Sequence, residues 1–157
     1  MNKLHKLLIL DDDPHYSGML ALKLKSRFPE LMVSSSEQKS ILHGYDIYIL
    51  DNDFGGEKCG AKLAEEVRTT SPNSLVVILS GTLEFNLLKR LVNCHAAGVF
   101  DKSQISEVDT LMCLIENYIQ TPVVTVQGEK PSLIETLGSI SGLLSQWNKK
   151  MAMEERR

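Results

Sequence analysis

Aromatic residues make up only 6% of the 157-residue chain, with a single tryptophan, and there are just five prolines and three cysteines. So little cysteine excludes a disulfide-stapled scaffold. Cys59, Cys94 and Cys113 are odd in number and too widely spaced for a zinc site, and they read as packed thiols in apolar helical settings. No stretch approaches the roughly twenty apolar residues that a bilayer-crossing helix needs. No charge predominates either: 17 Lys plus Arg against 20 Asp plus Glu give a formal net charge of −3. That balance lacks the basic footprint that nucleic acid or an anionic membrane surface selects, so neither is expected as a partner. The first apolar stretch, residues 7–10, is far shorter than an export-signal core and runs directly into Asp11, Asp12 and Asp13, which predicts a cytoplasmic protein.

What the chain does contain is short runs of Leu, Ile and Val at residues 7–10, 31–33, 46–50, 75–79 and 98–100, each bounded by polar or glycine punctuation. Such runs predict strands buried on both faces. Helical spacing fills the intervals. Tyr16, Leu20, Leu24 and Phe28 recur every four residues, with Asp13 placed as N-cap and Pro14 at the first helical position. Residues 61–69 place Leu63, Ala64 and Val67 on one face, and residues 83–94 do the same with Leu87, Leu88 and Leu91. Ser106 and Asp109 form a capping pair ahead of the stripe Val108, Leu111, Met112, Ile115 and Ile119. Residues 37–43 are weakly helical, enough for about two turns capped near Ser36. Strand and helix alternating five times predict an α/β, doubly wound, five-stranded parallel sheet with helices on both faces. Ligands of such folds sit at the carboxyl ends of the strands.

The polar residues fall at those ends. Asp11 and Asp12 follow the first strand, Asp51 the third, Ser80 and Gly81 the fourth, and Lys102 the fifth. Three carboxylates brought together raise one another's pKa unless a cation joins them, and Mg²⁺, which prefers oxygen ligands and tolerates a partly hydrated site, suits the set. The Lys102 ammonium, the Ser80 hydroxyl and the accessible amide of Gly81 suit the oxygens of a phosphoryl group. These are parts of a phosphoryl-transfer site, where positioning and charge neutralisation do most of the catalysis.

On these residues the chain resembles the receiver domains of two-component response regulators. LLILDDDP resembles that family's first strand and acidic pair, YDIYILDND its phosphoacceptor strand, VVILSG its hydroxyl strand and AAGVFDKS its lysine strand, over about residues 4–120. The resemblance implies a flavodoxin-like sheet of order 2-1-3-4-5. It implies Asp51 as phosphoacceptor, Asp12 as a direct Mg²⁺ ligand, Asp11 as holder of the ion's waters, and the backbone carbonyl of Asp53 as a further ligand. Ser80 and Lys102 would grip the phosphoryl oxygens. The implied donor is a sensor histidine kinase or histidine phosphotransfer protein, and the implied output is altered affinity for a downstream protein target. No enzymatic turnover beyond slow self-dephosphorylation is implied.

The chain departs from the family at several points. Asn52, Asp53, Phe54, Gly55 and Gly56 replace the usual Met-Pro pair with one residue more than usual, and the two glycines predict a mobile lid. Val99 stands where the switch aromatic is expected, and Phe100, its neighbour on the strand, points to the opposite face. Ser103 stands where proline commonly follows the lysine. A receiver-like interaction module without phosphorylation is one alternative. A haloacid-dehalogenase-type phosphohydrolase, with Asp51 as nucleophile and Asp53 as general acid, is another. It is opposed by Asp11 and Asp12 lying upstream and by the absence of a cap domain.

The organisation expected is a receiver over residues 1–120, a linker over 121–130 and a helical extension over 131–157. Ser132 and Glu135 form a capping box there, and Leu133, Leu137, Ile140, Leu144, Trp147 and Met151 recur at four- and three-residue spacing. Gly138 and Gly142 permit close approach of a neighbouring backbone. Docking on the chain's own core, homodimerisation through 131–157 and capture of a partner all fit this seam.

Overall fold

In the computed structural model, which describes residues 3–81 and 96–121, each apolar run forms a strand. These strands are β1 (Lys6–Leu10), β2 (Met32–Ser36), β3 (Ile47–Asp51), β6 (Leu75–Ser80) and β7 (Gly98–Asp101). A two-residue pair, β4 (Asp53–Phe54) and β5 (Glu57–Lys58), intervenes after β3. The main sheet has the order β2-β1-β3-β6-β7 and every pairing in it is parallel. This is the expected 2-1-3-4-5 order when its five strands are counted alone. The described residues belong to one compact unit.

β1, β3, β6 and β7 are buried on both faces, as continuous apolar sequence requires, but β2 is not: it is an edge strand whose Met32, Ser34 and Ser35 are exposed, against the expectation for its apolar run. All five residues of the central β3 are buried. Alternate side chains divide into two layers. Leu7, Ile9, Ile49 and Leu79 pack in one cluster with Leu20 and Leu24 of α1 (Pro14–Arg27) and Leu111 and Ile115 of α3 (Ile105–Gln120). Leu8, Leu10, Leu50 and Ile78 pack in the other with Leu63, Ala64 and Val67 of α2 (Gly60–Thr70). Each fully buried side chain of this kind contributes about 1.5–3 kcal/mol.

Local chemistry sets the ends of α1. The Asp13 carboxylate accepts from the amides of His15 and Tyr16 at 3.0 and 3.2 Å, and Pro14 opens the helix. Leu20 and Leu24 are buried, with Tyr16 and Phe28 partly buried at the two ends of the same stripe.

Three expectations need correction. Residues 37–43 form no helix. Ser36 Oγ does accept from the Gln38 amide at 3.2 Å, but Ile41 alone inserts into the core, and one apolar side chain cannot hold two turns against solvent. The Tyr48 hydroxyl donates to the Leu42 carbonyl at 2.9 Å, and Gly44 turns the chain with φ at +92°. The N-cap of α3 is Gln104, so Ser106 lies inside the first turn; Glu107 reaches back to the Asp101 amide. Cys113 is exposed, on the side of α3 opposite its buried stripe, whereas Cys59 is buried at the N-cap of α2. The helix expected over 83–94, Cys94, and the extension over 131–157 lie outside the described residues, as does all but the first residue of the 121–130 linker. Among the described residues no helix is long and apolar enough to cross a membrane.

Candidate functional site

The carboxyl ends of β1, β3, β6 and β7 meet at one edge of the sheet. Asp11 leaves β1, Asp51 ends β3, Ser80 ends β6 and Lys102 leaves β7. Asp11 and Asp51 are only 1% and 2% exposed. Lys102 Nζ lies 2.6 Å from Asp11 Oδ2 and 3.0 Å from Asp51 Oδ1, so one ammonium is shared by two acids from neighbouring strands. Asp12 is exposed at the rim, and one oxygen each of Asp11, Asp12 and Asp51 lie within 4.8 Å of one another.

Backbone groups hold each acid in place. Asp11 Oδ1 accepts from the Asp13 amide at 2.9 Å, and Asp51 Oδ1 from the Asp53 amide at 3.2 Å. Asp12 Oδ2 accepts from the Gly55 amide at 2.8 Å. On the far side, the Lys102 amide donates to the Ser80 carbonyl at 3.0 Å. The Asp101 carboxylate accepts from the Ser103 amide and hydroxyl at 2.9 and 2.6 Å, fixing the turn that carries Lys102 where the family commonly uses proline. Ser80 is fully buried and Gly81 exposed.

Burial dominates the electrostatics at Asp51. Burial pushes the Asp51 carboxyl up to about 6; the hydrogen bonds from Lys102 and the Asp53 amide oppose that rise, while the Asp11 charge adds to it. For Lys102, burial acts to lower the pKa, but its hydrogen bonds to Asp11 and Asp51 outweigh burial and hold it above the ordinary value. The lysine therefore stays an ammonium. Three carboxylates converge here, two of them on the Lys102 ammonium, and all the donors are hard oxygens. These residues fit a Mg²⁺ ion.

The segment after Asp51, whose two glycines predict a lid from sequence, folds as a short hairpin. Asp53 pairs with Lys58 and Phe54 with Glu57 across it, and Gly55 and Gly56 at its tip have φ of 56° and 86°. Left-handed conformations at both corners are what a type I′ turn requires, so Gly-Gly was a hairpin signal as much as a flexibility signal. Phe54 is buried in the α2 layer, and Lys39 pairs with Glu57, so the hairpin is tied down at base and rim. The carboxylate of Asp53 pairs with Lys58, an engagement that does not suit the free general acid of the phosphohydrolase alternative.

Two residues escaped the sequence reading. Asn52 is buried, and its Oδ1 accepts from the Gly60 amide at 3.2 Å while its backbone bonds to Leu79 and Cys59. A Cβ on Gly60 would meet Asn52 Oδ1 at 2.9 Å, so glycine permits this close approach. Tyr16, read only as part of an apolar stripe, places its ring 4.7 Å from Lys102 Nζ. Burial pushes its phenol up, with the nearby acids adding to that and Lys102 opposing, so the ring is neutral. Val99 and Phe100 fall in opposite layers, as their adjacency on β7 requires.

Neither a protein-family model nor a curated protein sequence matches the chain. Solved structures do. The signal receiver domain of a DNA-binding response regulator from Colwellia psychrerythraea 34H matches with a TM-score of 0.65 at 21% identity, covering 74% of this chain and 99% of that one. The response regulator DrrB of Thermotoga maritima matches with a TM-score of 0.63 at 14% identity, over 74% of this chain; the match spans only 53% of that protein. A response regulator from Burkholderia pseudomallei, solved with a phosphorylated aspartic acid, a calcium ion and citrate, matches with a TM-score of 0.57 at 19% identity over 76% of each chain. This chain therefore has the fold of response regulator receiver domains.

Proposed function

We propose that the chain is a two-component receiver in which Asp51 accepts a phosphoryl group, Mg²⁺ being the cofactor. Asp11, Asp12, Asp51 and the backbone carbonyl of Asp53 would hold the ion, with Asp11 acting through its waters. When bound, Mg²⁺ would supply charge neutralisation at the transferring group. An Asp51 oxygen attacks the phosphorus of a phosphohistidine on a sensor kinase or phosphotransfer protein. The phosphorus–nitrogen bond breaks, and its electron pair leaves with the imidazole. Lys102 donates from its ammonium to a phosphoryl oxygen, and the Ser80 hydroxyl and Gly81 amide donate to others. Water later attacks the acyl phosphate, releasing inorganic phosphate and restoring the Asp51 carboxylate, which is slow self-dephosphorylation rather than enzymatic turnover.

The observation that carries this reading is the Lys102 ammonium held between Asp11 and Asp51, with Asp12 beside them. An acid pair, an acceptor acid and a lysine drawn from three separate strands make a solubilising role for each residue a poor account. The aspartyl phosphate in the Burkholderia structure of the same fold supports it. Output would be electrostatic: a doubly charged phosphoryl group draws the Ser80 hydroxyl and shifts the segment after β6, changing the affinity of a downstream protein target. Residues 131–157 would serve homodimerisation or partner docking, and the protein would act in the cytoplasm.

The test is intact-mass measurement after incubation with a small acyl phosphate and Mg²⁺. One base-labile phosphoryl adduct is expected on the wild type and none on Asp51→Asn or after chelation. A wild type that gains no adduct would instead be an interaction module without phosphorylation, and steady release of phosphate from simple esters would point to a phosphohydrolase.

A further inference from the structure

Lys102 has two kinds of partner among the described residues. Two are carboxylates, Asp11 at 2.6 Å and Asp51 at 3.0 Å, and the third is the face of the Tyr16 ring, 4.7 Å from Nζ. The carboxylates are also the groups that a divalent cation would claim, so their hold on the lysine weakens when the site loads. The ring is neutral and no hard cation competes for it. Its place is fixed by local sequence. Asp13, directly after the acid pair, caps α1 by accepting from the Tyr16 amide at 3.2 Å, and the Tyr16 ring lies against the lysine. The Tyr16 hydroxyl is buried and has no hydrogen-bond partner among the described residues.

We infer that Tyr16 is a positioning residue for the phosphoacceptor site: its π face keeps the Lys102 ammonium aimed at Asp51 when the acids turn to a metal ion. The inference rests on the reading of Asp51 as phosphoacceptor. Tyr16→Leu keeps an apolar side chain and removes the π face; Tyr16→Phe keeps the face and removes the hydroxyl.

Two readouts test it on the full chain. The first is the NMR position of the Lys102 ε-methylene and ammonium resonances with and without Mg²⁺. Ring-current displacement is expected in the wild type in both conditions, is retained in Tyr16→Phe and is lost in Tyr16→Leu. The second is the rate of phosphoryl uptake from acetyl phosphate with saturating Mg²⁺. A slowing of roughly three- to tenfold is expected in Tyr16→Leu, with rescue by Tyr16→Phe, the range a cation–π contact supports. Undisplaced Lys102 resonances in the wild type, uptake in Tyr16→Leu equal to wild type, or a defect shared equally by Tyr16→Phe would each overturn the inference. If the wild type takes up no phosphoryl group, the phosphoacceptor reading fails, and the Lys102 resonances alone then decide whether Tyr16 holds the ammonium. Thermal midpoints of both variants separate a folding defect from a positioning one.

Discussion

Burial holds the Asp51 carboxyl at about 6 against an ordinary value of 3.8, which ties this residue's chemistry to the stability of the chain. The folded state binds the proton more tightly than the unfolded state, so between those two values the group's contribution to stability rises as pH falls. Above about pH 6 the folded protein bears the full cost of the buried charge, on the order of 3 kcal/mol for a shift of this size. Asp51→Asn removes that cost and leaves Lys102 its bond to Asp11. In metal-free buffer the variant should melt above the wild type at pH 7, and the gap should close as pH approaches 4; thermal melts across this range check it. Mg²⁺ should raise the wild-type midpoint and narrow the same gap. The convergence of Asp11, Asp12, Asp51, Ser80 and Lys102 at one end of the sheet was legible in sequence because each stands at the end of an apolar run, and a parallel sheet brings such ends together. Tyr16 was not legible as a partner of Lys102. Its spacing of four from Leu20 marks only a helix face, and the lysine arrives from 86 positions later in the chain.

At the scale of elements, α1 and the hairpin after β3 carry the site. Asp13→Ala removes the acceptor for the His15 and Tyr16 amides and should cost about 1 kcal/mol in chemical denaturation. The hairpin depends on two left-handed glycines, and Gly56→Val, at φ +86°, should cost about 1–3 kcal/mol and release the Gly55 amide from Asp12, read by amide exchange at residue 55. Gly60→Ala drives a Cβ to 2.9 Å from Asn52 Oδ1 and 3.1 Å from Ile78 Cγ2. Overpacking here should cost about 1–3 kcal/mol and displace the residue next to Asp51. Strands were legible as short continuous apolar runs, and the longer helices because a buried face imposes a period. The hairpin was missed because Gly-Gly reads equally as freedom and as a tight turn, and what decides between them is Phe54 entering the core. The supposed helix over residues 37–43 failed for want of an apolar stripe: Ile41 stands alone.

At the scale of the whole molecule, the fold is a scaffold that turns distance in sequence into contact. The sheet order β2-β1-β3-β6-β7 puts β1 beside β3 and β6 between β3 and β7, so the acids and the lysine gather at one edge, where the strand ending in Ser80 also ends. The extension over 131–157 bears on assembly. If it mediates homodimerisation, light scattering on the full chain should report a dimer and a chain ending at residue 130 a monomer; a dimer that survives the deletion would remove that role. The central proposition is a chemical one, that the carboxylate beside Lys102 and Asp11 becomes an acyl phosphate. Borohydride reduction of the protein after treatment with acetyl phosphate and Mg²⁺, followed by peptide sequencing, tests it at a single atom. Homoserine in place of aspartate at position 51 is the predicted result, and unreduced aspartate there, or homoserine at another position alone, would contradict it.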